Sequence, residues 1–207
     1  SPVGTATADT VQHFAVAANS GGSGWLVWDD LSARVRAVPL VTPPFGHTRD
    51  NSIVLVPRER LAHNVDVVYP GRLPAERLGQ AEDLRGLEMA LQELLAQRWD
   101  LLNAGHGCVG VHADVLFVLG YLGELRHATL HALQQVPAGD FVHDAMSYNW
   151  SKAHRDAVAD QVIRRLRRRY GRIPGFHQVA ATHAQQMYWE CQLHYRYEPA
   201  RAKRPAR

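Results

Sequence analysis

Apolar and polar positions change their period once along this 207-residue chain, near residue 70. Before that point, short apolar or alternating runs occupy 11–18, 24–29, 33–41, 52–56 and 65–69. Turn signals separate them: an Asn-Ser-Gly-Gly run at 19–22, Asp29-Asp30, Pro43-Pro44 and Arg49-Asp50-Asn51. Trp25 and Trp28 flank Leu26 and Val27, a composition that suits a pleated strand. The pattern predicts a small antiparallel β unit, a hairpin or meander, over residues 1–72.

Pro70-Gly71 through Pro74 marks a boundary, and beyond it the spacing is helical. A first helix carries Leu84, Leu87, Leu91, Leu94, Leu95, Leu101 and Leu102, with Pro74 placed where a helix start tolerates proline. A glycine-rich break at 103–110 precedes a more apolar second helix over 112–136, wrapped by Val115, Leu116, Phe117, Val118, Leu119 and Leu122. That helix is expected at the centre of the bundle. A third helix over 142–170 presents Met146, Trp150, Ala153, Ala157, Val162 and Leu166, and a fourth covers 176–197. Segregated strands and helices predict an α+β fold. Its parts are the β-rich unit at 1–72, a four-helix, mostly antiparallel region at 73–198, and a basic tail at 199–207. Two small domains split near residue 72 are the alternative.

Composition narrows the class more than the function. At 46% apolar the chain can bury a core. No stretch reaches the roughly 18–20 apolar residues of a membrane span. Two cysteines make no disulfide scaffold. Residues 1–10 are small and polar, without the basic and apolar regions of a secretory signal. An intracellular setting in cytoplasm, organelle or virion follows as the expectation.

Charge adds an asymmetry that the net value of +3 conceals. Arg164, Arg165, Arg167, Arg168, Arg169 and Arg172 fall within nine residues, and Arg201, Lys203, Arg204 and Arg207 follow in the tail. Arginine grips phosphate or carboxylate with a planar fork. Cations at a helix end also complement its dipole, by about 0.3–1 kcal/mol each, but six like charges exceed that need. Aromatic residues close in sequence, Tyr170, His177, Tyr188, Trp189, Tyr195 and Tyr197, could stack on bases. Solvated surface charge, or a genome that favours arginine codons, is the plainer account of the same residues.

Twelve histidines bring in metal chemistry. Glu124, His127 and His131 share one helical face, as do Glu190 and His194. Glu124-Leu-Arg-His127 has the Glu-x-x-His spacing of ferritin-like di-iron bundles and in that respect resembles them. The resemblance implies a transition metal between helices two and four. Glu190 and His194 stand one residue further apart than that motif, and the third helix offers only Asp144, Asp156 and Asp160. Zinc, iron or manganese would suit such a donor set. Against this, the same residues read equally as solvated polar stripes.

His143-Asp144 resembles the His-Asp dyad of HD phosphohydrolases, which implies metal-assisted hydrolysis with His112 as an upstream ligand. It is also similar to the His-Asp pair of phospholipase A2-type enzymes, where the histidine activates water and the aspartate holds calcium. Tyr148 and Asp160 would then brace the histidine. An aspartate at a helix start is also simply a cap. Cys108, in a Gly-His-Gly-Cys-Val-Gly run at 105–110, is a possible nucleophile near a helix start or part of a flexible connector. Cys191 reads as buried and inert.

Three functions remain. The first is a non-catalytic basic subunit of a larger assembly. It would contact nucleic acid, RNA ahead of DNA, or an acidic protein through the arginine-rich end of the third helix and the tail. The second is a metal-assisted hydrolase using His143, Asp144 and Asp160. The third is a Glu/His metal protein using His112, Glu124, His127, His131, Glu190 and His194.

Overall fold

The computed structural model describes residues 24–27, 34–40, 45–49, 51–142 and 149–195. Five strands, β1 Gly24–Val27, β2 Arg34–Pro39, β3 Ser52–Val56, β4 Leu61–His63 and β5 Leu101–Asn103, form one sheet in the order β1-β2-β3-β4-β5. The first three neighbouring pairs are antiparallel, with Val38 opposite Ile53 and Leu55 opposite Ala62. Strands β4 and β5 run parallel, with Ala62 opposite Leu102. The β unit is therefore mixed rather than antiparallel. One face of it is apolar: Ile53, Leu55, Ala62 and Leu102 are buried, while their strand neighbours are at most half-buried. This is the period-two pattern of a sheet packed on one side.

Parallel pairing needs a long crossover, and residues 64–100 supply it. The apolar run at 65–69 is not a strand. It is an irregular connection whose Val67 and Val68 are buried. Pro74 leads not into a long helix but into α1 Glu76–Gln80, a single turn with left-handed φ at Arg77, Leu78, Gly79 and Gln80. Gly79 cannot carry a side chain there, because a Cβ would stand 2.8 Å from the Asp66 carbonyl oxygen. Helix α2 Leu84–Ala96 begins only at Asp83, whose carboxylate accepts hydrogen bonds from the Arg85 and Gly86 amides, as an N-cap does.

Helix α2 ends before Leu101 and Leu102, which belong to β5. The buried Trp99 turns the chain, its indole N–H donating to the Leu94 carbonyl at 2.6 Å. The Asp100 and Leu101 amides then donate to the Arg60 carbonyl, and the Arg60 guanidinium pairs with Asp100. Together these contacts lay β5 beside β4.

The helical layer comprises α2, α3 His112–Gln135, α4 Asn149–Tyr170 and α5 Phe176–His194. With the α1 turn that makes five α-helical segments among the described residues, rather than four. Helix α3 packs on α2, α4 and α5 and is central, as its all-round apolar pattern predicts. Its start is fixed by Asp114, which accepts from the Val111 and Gly71 amides. Helix α4 buries His154, Val158, Val162, Leu166 and Tyr170, one row at intervals of four. Ala153 is exposed and Ala157 only half-buried, so the inner face is rotated from the predicted one. Val142 lies outside the helix, after a short turn Ala138–Phe141. Helix α5 starts at Gly175, where φ is +91°, and stops at His194 rather than 197. Sheet and helices share one apolar core running from Ile53 to Cys191. Among the described residues no helix is long and apolar enough to cross a membrane.

Candidate functional site

The end of α4 combines a buried row with a cationic one. Val162, Leu166 and Tyr170 face the core, so Arg164, Arg165, Arg167, Arg168 and Arg169 are all exposed. At 100° per residue they fan across about 200° of the helix circumference. Arg172 is exposed in the turn that follows. Arg169 alone pairs, with Glu124 of α3, and its guanidinium lies 5.6 Å from the Tyr170 ring. Among the described residues the other five make no ion pair.

The expected aromatic partners do not gather there. Tyr170 and Tyr188 are buried and Tyr195 is half-buried. Trp189 is 45% exposed but stands by Arg155, near the opposite end of α4. His177, at the start of α5, is the first exposed ring after the arginine cluster in sequence. Arg201, Lys203, Arg204, Arg207 and Tyr197 lie outside the described residues.

The proposed metal ligands separate. His112 stacks on Trp99 at a centroid distance of 3.8 Å. Glu124 is taken by Arg169, and His127 and His131 point to solvent. Glu190 and His194 meet neither His112 nor the α3 stripe. They meet Asp83, the cap of α2. One ligand atom from each of the three lies within 4.8 Å of the others. Arg85 reaches into this cluster, with Nη2 at 2.8 Å from Asp83 Oδ2 and Nε at 3.4 Å from Glu190 Oε1. Beside it Arg126 pairs with Glu88 and lies 5.1 Å from the Tyr195 ring.

Electrostatics separate the two carboxylates. Burial raises the Glu190 carboxyl above its ordinary value, and the charge of Asp83 adds to that. Burial pushes Asp83 up as well, but Arg85 and the amides of Gly86 and Arg85 outweigh it and hold the group low. Cys191, on the same helix, is buried with its thiol pushed up to about 12 by burial, and so is inert.

His143 and Asp144 lie outside the described residues. Asp160 is exposed and lines a cleft of about 600 Å³ with Asp140, Phe141, Gln161 and Arg164. Cys108 is exposed.

No sequence motif predicts a second polar cluster. Asp66 lies between two imidazoles, its Oδ1 2.6 Å from His106 Nε2 and its Oδ2 3.2 Å from His47 Nε2. Tyr69 stacks on the His106 ring and is pushed up to about 12, by burial first and Asp66 second. Gly105 and Gly107, both at positive φ, shape the loop that presents His106. The glycines were the only sequence signal. Asp66 and His47 come from segments with no local motif. No protein-family model matches the chain, and no curated protein is detectably similar to it.

Proposed function

We propose that this protein is a non-catalytic subunit of a larger assembly that docks on the phosphate backbone of a nucleic acid, RNA ahead of DNA. The observation that carries this reading is the unpaired arginine face at the end of α4: Arg164, Arg165, Arg167, Arg168 and Arg172. Five exposed guanidiniums without carboxylate partners among the described residues repel one another. A polyanion relieves that repulsion and accepts their bidentate forks. Because Tyr170 and Tyr188 are buried and the exposed Trp189 stands by Arg155 near the other end of α4, phosphate contact outweighs base stacking. That favours recognition of shape and backbone over sequence.

The test is the salt dependence of binding to a labelled single-stranded RNA and a duplex RNA. Changing Arg164, Arg165, Arg167 and Arg168 together to glutamine should weaken binding. It should also reduce the slope of log K against log salt by up to about 0.7 for each lost contact on a single strand. All four side chains are exposed, so the melting temperature should hold. An unchanged slope refutes the reading. Binding to an acidic polypeptide but to neither RNA would assign the face to a protein partner.

A further inference from the structure

The cluster at the junction of α2 and α5 resolves into a second, independent site. We propose that Asp83, Glu190 and His194 bind a divalent transition-metal ion, with zinc the suitable probe.

Three facts converge on it. The donor set is complete in kind, two carboxylates and one imidazole from two rigid elements, and three protein ligands with an open fourth position are a common arrangement for zinc. Glu190 and His194 stand one helical turn apart on α5, and Asp83 is fixed by its capping bonds to the amides of α2. The required movement is small. Ligand atoms about 2.1 Å from a tetrahedral zinc stand about 3.4 Å apart, and here all three lie within 4.8 Å. Side-chain rotation closes that difference.

The independent sign of a ligand is Glu190 itself. Its side chain is 9% exposed, and its Oε1 is buried without a hydrogen bond. The nearest cation is Arg85 Nε, at 3.4 Å. A carboxylate held this way costs stability unless something satisfies it. The Arg85 side chain is 41% exposed and already bonded to Asp83, so it compensates only in part. Metal binding would displace that guanidinium towards solvent and engage a lone pair of Oε1.

Titration of the chelator-treated protein with Zn²⁺, followed by calorimetry, tests the proposal. One tight equivalent is expected, accompanied by a rise in melting temperature. Glu190→Gln and His194→Asn should each weaken binding by at least about tenfold. Circular dichroism shows whether each variant keeps its fold. Arg85→Ala removes the competing guanidinium and should tighten binding; it is also a second route to the answer if Glu190→Gln misfolds. His127→Ala, at an exposed histidine on α3, should leave the tight equivalent untouched. The proposal fails if no tight equivalent binds. It fails equally if His127→Ala removes that equivalent, or if Arg85→Ala and His194→Asn both leave it unchanged.

Discussion

Helix α5 carries two buried polar side chains seven residues apart, and they are treated in opposite ways. His183 is fully buried, and both of its ring nitrogens have partners: the Tyr121 hydroxyl at 3.1 Å from Nδ1 and the Ala75 carbonyl at 2.8 Å from Nε2. The neutral ring then donates from Nε2 and accepts at Nδ1. His154 of α4 repeats the arrangement with the Tyr188 hydroxyl and the Val136 carbonyl. Two turns further along α5, Glu190 is nearly as buried and leaves Oε1 without a hydrogen bond. A satisfied buried group is scaffolding, because its partners define one geometry. A buried group left unsatisfied requires another explanation, and the three-ligand cluster offers one.

The largest expected effect is on the satisfied side. His183 ties α5 to α3 and to the residue preceding the left-handed turn at Glu76–Gln80. Removing it as His183→Ala opens a cavity and orphans the Tyr121 hydroxyl and the Ala75 carbonyl. A loss of about 3–5 kcal/mol is expected by urea denaturation. A loss below about 1 kcal/mol would show that the turn holds without it.

The same histidine sets a pH dependence. Burial lowers its pKa from 6.5 to about 4. Between those values the unfolded chain binds a proton that the folded one refuses, so stability rises with pH across that window. The stabilisation is fully present above pH 6.5. It is lost as pH falls towards 4, by about 3 kcal/mol from this group. His183→Gln keeps a donor and an acceptor but does not titrate. Relative to wild type it should flatten the profile between pH 6.5 and 4, and equal profiles would place the protonation elsewhere.

How far the sequence reaches follows from these same residues. Helices α2 and α3 were legible because leucines and valines recur at intervals of three and four, and α4 and α5 because the glycine-bounded segment 171–175 separates them. Strands β4 and β5 were not, because each has three residues and buries one, too few for a period to show. The inner row of α4 was misplaced because His154 reads as solvent-facing unless its partner Tyr188 is known. For the metal cluster, Glu190 and His194 were visible as a pair on one helical face. Asp83 lies more than a hundred residues upstream, and only its capping role has a local signature. Long-range pairing decides which polar residues meet, and a single sequence carries no record of it.

The smallest expected effect sharpens the comparison most. In chelator-treated buffer at neutral pH, Glu190→Gln should leave stability unchanged or raise it slightly. The sign follows from linkage. The folded-state pKa of Glu190 lies above the ordinary value of 4.5. As pH rises past 4.5 the unfolded chain releases this proton first, and the folded state loses relative stability. Glutamine avoids that loss and keeps the shape. Arg85 would not be stranded by the change, since Asp83 still pairs with it and the guanidinium reaches solvent. A loss of more than about 2 kcal/mol on denaturation would instead make Glu190 an integral part of the packing, like His183. The two halves of α5 would then differ only in how completely their hydrogen bonds are made.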